Sequence, residues 1–194
     1  MKPNEEMFQH AIYNNDWPDH PCGSGSTLKN TADVRNNLPT LFKKYNINSM
    51  FDCPCGDYSW MSQIEFDKDF TYIGGDIVNK MIQENKEKYP GVEFLYHDIL
   101  TDPIPKVDVV FIRDLLIHLP DNHIIKLFEK LNHSDIKYVC VSNYTVNTNI
   151  AQNTASVRSR EYNLHLKPFN IKDCVDFISD NTDRGYKQLE LIQI

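Results

Sequence analysis

The chain has 194 residues, with 27 acidic against 20 basic side chains, a formal net charge of −7, 41% hydrophobic residues and 24% charged residues. That is material for one hydrophobic core, and the 7 glycines, 10 prolines and 11% aromatics exclude collagen-like, coiled-coil and wholly disordered classes. The acidity argues against a broad grip on nucleic acid, because counterion release needs clustered Lys and Arg. No apolar run approaches the roughly 20 residues that cross a bilayer, and Glu5 and Glu6 stand where a secretory signal has its apolar stretch. A soluble cytoplasmic protein is expected. The 5 cysteines are an odd set without framework-like spacing, which suits a reducing compartment. Cys53 and Cys55 form the one close pair, and no second pair completes a zinc site, so no metal is expected.

In chain order, the first segment reads as a short helix followed by the loop Gly23-Ser24-Gly25-Ser26. From Thr31, read as an N-cap, Val34, Leu38, Leu41 and Phe42 recur at helical spacing as far as Tyr45. Five apolar runs read as strands: 49–53, 70–74, 92–96, 107–112 and 136–141. The spacing predicts a helix over 78–89, closed by Pro90-Gly91, and another that Asp121 begins, with Asp or Asn as its cap, through Ile124, Ile125, Leu127, Phe128 and Leu131. Near the C-terminus, 174–178 and 188–194 are apolar enough for an antiparallel hairpin. Strands alternating with helices imply a parallel sheet covered on both faces, and such sheets bind ligands beyond the carboxyl ends of their strands.

Polar groups crowd those strand ends. Asp52-Cys53-Pro54-Cys55-Gly56-Asp57 follows the first strand, Asp76 closes the second, His97-Asp98-Ile99 follows the third, Arg113-Asp114 and then His118 follow the fourth, and Asn143-Tyr144 the fifth. Asp76 stands where an acid can accept hydrogen bonds from both hydroxyls of an adenosine ribose. A dinucleotide also needs glycines and a helix N-terminus around its pyrophosphate. Here the first turn keeps Gly56 alone and adds Asp57, which favours a cofactor with adenosine and a cationic centre but no phosphate.

These residues resemble the class I methyltransferases that use S-adenosylmethionine. Phe51 to Gly56 looks like their first motif, Asp76 like their ribose-binding acid, and His97-Asp98-Ile99 like their adenine-contacting segment. The stretch from Val109 to Asp121 is similar to their post-strand segment, with an acid four residues before a His-Leu pair. The resemblance covers residues 31–145. It implies a doubly wound, mostly parallel, seven-stranded α/β sheet of Rossmann-like type with helices on both faces and a C-terminal antiparallel hairpin. It implies S-adenosyl-L-methionine as cofactor, held by Asp52, Cys55, Gly56, Asp76, Ile77, Asp98, Ile99 and Arg113. Arg35 is expected at the cofactor carboxylate, beneath a loop 23–27 folded over the ligand. Pro54 and Tyr58 depart from the family, standing where it usually has glycine, so the loop must approach its ligand differently.

The chain is accordingly expected to be a single domain over 1–194: a helix and covering loop to residue 30, the cofactor core over 31–145, a substrate-selecting segment over 146–169 and closing strands over 170–194. If Asp114 to His118 is one helical turn, carboxylate and imidazole share a face, and Asp114 orients His118 as general base. Asn143, Tyr144, Arg158 and Arg160 are expected to bind a small polar acceptor, a hydroxyl-bearing sugar or phosphorylated metabolite. Blander readings stand beside these: Asp52 as a loop-holding carboxylate, Asp57 as a helix N-terminal acid, Asp76 and Asp98 as turn carboxylates, and His118 as structural. An NAD-dependent sugar oxidoreductase and a non-catalytic S-adenosylmethionine-binding protein are the alternatives in function. Oligomeric state is not legible.

Overall fold

A computed structural model describes residues 2, 4–14, 16–17, 19–181 and 186–194. Helices α1 (Glu5–Tyr13) and α2 (Ala32–Lys44) precede the first strand, β1 (Ser49–Asp52). Then follow β2 (Thr71–Asp76), α3 (Asn79–Lys88), β3 (Glu93–Tyr96), β4 (Val109–Ile112), α4 (Asp121–Asn132) and β5 (Tyr138–Tyr144). The chain closes with β6 (Cys174–Ser179) and β7 (Lys187–Gln193). Residues 182–185, between the two strands of the expected hairpin, lie outside the described residues.

The seven strands form one sheet in the order β3-β2-β1-β4-β5-β7-β6. β1 to β5 pair in parallel, and β7 pairs antiparallel with both β5 and β6. Period-2 alternation explains the layers. Phe51, Val110, Ile112, Val139 and Val141 point to the face covered by Ile124, Leu127, Phe128 and Leu131 of α4. Met50, Val109, Phe111 and Cys140 point to the opposite face, covered by Val34, Leu38, Leu41 and Phe42 of α2. β1 lies between β2 and β4, so the connections run outward in opposite directions from it and leave a crevice at its carboxyl end.

Several local expectations change. Thr31 occupies the N-cap of α2, but its Oγ1 donates to the Thr27 carbonyl at 2.9 Å and does not cap the helix. Pro120, not Asp121, precedes the first turn of α4, with no side-chain cap. Between β1 and β2 no α-helix starts at Asp57, so its alternative reading as a helix N-terminal acid is corrected. The chain makes turns and a 3-10 helix, Met61–Gln63, and Asp57 instead accepts from the Ser59 N–H at 3.1 Å and hydroxyl at 2.7 Å. Tyr58 adopts φ 59°, the left-handed region that favours glycine. Its ring is held by Tyr72, Tyr89 and Phe94, with centroids 4.9, 5.0 and 5.3 Å away, so aromatic packing offsets the backbone cost.

Candidate active site

At the crevice beside β1 lies a cavity of about 110 Å³. Its polar lining comes from the strand ends, Asp52, Asp57, Asp76, Arg113, Asp114 and His118. Its apolar lining comes from Trp60 and Phe111 and, from the N-terminal segment, Phe8, Ile12 and Trp17. The segment before α2 therefore covers the crevice, with Ser26 and Cys22 on the lining. A second, smaller cavity of about 30 Å³ adjoins it, sharing Phe8, Pro54, Ile77 and Leu115 and adding His97, Asp98 and Ile99. On the other side, Trp17, Cys22, Asp114 and His118 also border an open depression lined by Tyr144, Arg158, Arg160 and Lys187.

The carboxylates are fixed in different ways. Asp76 Oδ2 accepts from the Gly56 N–H at 3.1 Å and Oδ1 from the Val78 N–H at 2.9 Å. Gly56, at φ 54°, presents that N–H from a turn whose carbonyl accepts from Asn85 Nδ2 at 2.7 Å. Burial pushes Asp76 up to about 6 against these two donors. Asp52 is fully enclosed and accepts from the Tyr72 hydroxyl at 2.7 Å; burial pushes it up to about 8, with the Asp76 charge adding to the shift. Cys55 is buried behind the loop, its N–H donating to the Gly75 carbonyl at 2.8 Å. Asp98 accepts from the Leu100 N–H at 2.9 Å and borders the smaller cavity.

Arg113 is committed inside the protein. Nε and Nη2 donate to the two oxygens of Asp180 at 2.9 Å each, and Nη1 donates to the Gly25 carbonyl at 2.9 Å. Its guanidinium thus ties the loop Ser24–Ser26 down over the cavity. Lys187 Nζ, buried, completes the network with both oxygens of Asp114 at 2.6 Å and with Asp180 at 3.2 Å. Lys187 and Asp180 were not singled out from sequence. The available signal was alternation on β7, where Lys187 falls in step with inward-facing Leu189 and Leu191.

Four expected roles are corrected. Asp114 and His118 do not form a dyad: Asp114 adopts φ 58°, which breaks any helical turn, and only Leu116–His118 is 3-10 helix. The Asp114 oxygens face Lys187 and Arg113, while His118 Nδ1 lies 2.9 Å from the Ser156 carbonyl. Arg35 points away from the cavity, donating to the Leu28 carbonyl at 2.8 Å and to Thr31 Oγ1 at 3.2 Å. Asn143 is buried, donating to Glu190 Oε1 and accepting from the Leu164 N–H, both at 2.8 Å, so it ties 146–169 to the sheet. Arg160 pairs with Asp121 and donates to the Ile150 carbonyl at 2.7 Å, which leaves Arg158 as the more exposed cation of the depression. Tyr144 lies on the depression as expected.

Among the described residues, His20, Cys22 and Asp57 bring nitrogen, sulfur and oxygen atoms within 4.8 Å of one another. The Cys22 N–H donates to His20 Nδ1 at 3.1 Å. The neutral ring therefore carries its proton on Nε2, which faces Ser59 Oγ at 3.3 Å and Asp57 at 3.5 Å. Among the described residues, no helix is long and apolar enough to cross a membrane.

Sheet order, layering and the crevice beside β1 together define the fold of the class I S-adenosylmethionine-dependent methyltransferases. No protein family's profile matches the sequence, and no curated protein does. Solved structures match over most of the chain. Magnesium protoporphyrin IX methyltransferase of Synechocystis PCC 6803, with S-adenosylmethionine bound, superposes with a TM-score of 0.63 at 14% identity, over 100% of this chain and 98% of that one. The mitomycin 7-O-methyltransferase MmcR gives 0.67 at 14% identity, over 96% of this chain and 60% of its own. Human N-acetylserotonin methyltransferase gives 0.62 at 16%, over 99% and 60%. At these identities the likeness is one of fold.

Proposed function

We propose that the protein binds S-adenosylmethionine in the crevice beside β1 and transfers its methyl group to a hydroxyl of a small polar acceptor, a sugar or phosphorylated metabolite, in the cytoplasm. The observation that carries this reading is the company of Asp52, Asp57 and Asp76 in one largely apolar cavity. Arg113, which lines the cavity, is already paired with Asp180 and the Gly25 carbonyl. Such a lining favours a ligand with a flat apolar base, a ribose and positive charge. It disfavours a pyrophosphate, and β1 leads to turns and a 3-10 helix where a dinucleotide site has an α-helix N-terminus. The nicotinamide alternative loses its main anchor on that ground.

When bound, S-adenosylmethionine supplies a methyl group on a sulfonium for in-line displacement by the acceptor. The chain's part is to bind, align and handle one proton. Asp76, steadied by Gly56 and Val78, is assigned to the ribose, and Asp98, Ile77 and Ile99 to the base end. The backbone of Cys55 and Gly56, with Asp52 and Asp57, is assigned to the charged end. Arg113 acts as a positioning residue through the covering loop, and Asp114 as the carboxylate that anchors Lys187 beside the depression.

His118 is assigned the proton. The Ser156 carbonyl holds the hydrogen on Nδ1, which leaves the Nε2 lone pair free to accept. Burial lowers its affinity for protons and keeps the ring neutral. Phe8 and Trp17, with centroids 5.8 and 5.7 Å away, fix its plane. Arg158 and Tyr144 are assigned to the acceptor.

Calorimetric titration with S-adenosylhomocysteine and, separately, with NAD tests the reading. Binding of the former alone is expected, whereas binding of NAD alone would overturn the proposal.

A further inference from the structure

Glu5 opens α1 and is buried, yet neither the cofactor reading nor the acceptor reading uses it. Its carboxylate is taken up from three directions. Oε2 accepts from the Tyr96 hydroxyl at 2.6 Å and from the Lys2 backbone N–H at 2.9 Å, and Oε1 accepts from the Asn79 N–H at 3.4 Å. Burial opposes its ionisation, but these donors outweigh burial and hold the carboxyl below the usual carboxylate range. Tyr96 ends β3 and Asn79 begins α3, so one side chain fastens α1 to elements 91 and 74 residues further along. The neighbouring N–H, that of Val78, is the one that steadies Asp76.

α1 has 9 residues, fewer than the roughly 12–15 that sustain a helix alone in water, so it stands because it is docked. At its far end the Tyr13 hydroxyl donates to Glu84 of α3 at 2.6 Å, an exposed contact for which water competes. Between the ends, Ile12 packs with Val78 and Met81, and Phe8 lies against them. Phe8 and Ile12 are also part of the wall of the cofactor cavity. That cavity measures about 110 Å³, whereas pockets that bury a drug-sized ligand run to roughly 300–1,000 Å³. A ligand of that size enters only if a wall gives way. The strand ends opposite are held in the sheet, and Arg113 ties down the loop at Gly25. The wall free to yield is α1, whose one buried polar fastening is Glu5.

We infer that Glu5 is the latch of a movable wall: its carboxylate holds α1 closed against β3 and α3, and the cofactor enters the crevice when the latch releases and α1 lifts away. This rests on the S-adenosylmethionine reading above and adds the route by which the ligand reaches its site. Glu5 is a positioning residue here, acting through α1, and has no part in the methyl transfer.

The test pairs stopped-flow binding with hydrogen exchange in wild type, Glu5→Ala, Glu5→Gln and Tyr96→Phe. Association of S-adenosylhomocysteine is followed by tryptophan fluorescence, since Trp17 and Trp60 both line the cavity. Ala is the stronger helix former, so Glu5→Ala does not weaken α1 through backbone propensity. Removing the charged acceptor is expected to shift the opening equilibrium about tenfold and to speed association by the same factor, because the observed rate scales with the open fraction. Glu5→Gln, which keeps one acceptor oxygen, and Tyr96→Phe, which removes one donor, should give smaller accelerations. Without ligand, the amides of α1 should exchange about tenfold faster in Glu5→Ala while those of β4 and β5 keep their protection, a pattern that a general loss of stability does not produce. Unchanged association with α1 deprotected would show that ligand does not pass α1 and would overturn the inference, as would faster association with α1 protection intact. Equal loss of protection in α1 and in the central strands would reduce Glu5 to a stability residue and overturn it too. Failure of wild type to bind S-adenosylhomocysteine would overturn the cofactor reading and the latch together, whereas binding at one rate in all four proteins overturns the latch alone.

Discussion

Lys187 Nζ, at the start of β7, donates to both carboxylate oxygens of Asp114, at the end of β4, with each distance 2.6 Å. The two residues are 73 apart in sequence, and the contact fixes the antiparallel end of the sheet to the wall of the crevice. Burial alone would raise the Asp114 carboxyl, but Lys187 and Arg113 more than offset it and hold it well below the usual carboxylate range.

Lys187→Met therefore leaves Asp114 and Asp180 short of a cation. Breaking an ion pair buried to this extent is expected to cost about 3 kcal/mol in denaturant unfolding, and Lys187→Met with Asp114→Asn less than the single change. The pH dependence follows from the depressed carboxyl. Its contribution is complete above the unfolded value near 4 and is lost as pH falls through the lower folded value. The acid limb of the wild-type stability profile should therefore be steeper than that of Asp114→Asn. Coincident profiles would remove the network from the account of stability.

Gly75→Ala is expected to destabilise the fold by about 1–3 kcal/mol through overpacking. The added methyl would meet the Phe51 ring at 2.5 Å and Cys53 Sγ at 3.3 Å, both buried against α4 and the crevice. Thermal unfolding measures the cost. A melting temperature equal to that of wild type would show that the packing around Phe51 gives way freely.

Much of this arrangement was legible in the sequence because parallel strands announce themselves. Runs such as Val109 to Ile112 are apolar at every position, since both faces are covered, and the acids at their carboxyl ends mark the crevice. The role of Asp57 was not, because an acid after a strand fits a helix N-terminus and a turn equally well, and here it accepts from Ser59 within a turn. Side-chain destinations were also hidden. Arg35, Asn143 and Arg160 have the chemistry of ligand contacts, yet Arg35 turns back on the Leu28 carbonyl and the Thr31 hydroxyl just before it, Asn143 on buried Glu190, and Arg160 on the Ile150 carbonyl and Asp121. Periodicity places a residue on a face of its element and says nothing about which partner the fold brings to that face.

Arg35→Ala follows from one of those corrections. Because the guanidinium serves the Leu28 carbonyl and Thr31 Oγ1 outside the crevice, the substitution is expected to change S-adenosylhomocysteine affinity less than about twofold, with a stability cost of about 1 kcal/mol. A tenfold loss in calorimetry would return Arg35 to the cofactor.

Asp52 makes the crevice sensitive to pH in a direction that the ligand's charge reveals. Its carboxyl titrates at about 8 in the folded protein, because burial opposes ionisation more strongly than the Tyr72 hydroxyl favours it. A proton held more tightly in the folded than in the unfolded chain stabilises the fold fully below the unfolded value near 4, and that stabilisation fades as pH rises through the folded value. A sulfonium reverses the preference: its positive charge favours ionised Asp52, so binding expels the proton and strengthens as pH rises. S-adenosylhomocysteine has the same groups with a neutral sulfur and lacks that drive. Affinity for S-adenosylmethionine relative to S-adenosylhomocysteine is therefore expected to rise between about pH 6 and about pH 8, by tenfold at most for roughly one unit of coupling. Asp52→Asn, which keeps an oxygen for Tyr72, should flatten the trend. Calorimetry in two buffers of different ionisation enthalpy counts the expelled proton directly. A ratio independent of pH in wild type would place the sulfonium beyond the reach of Asp52.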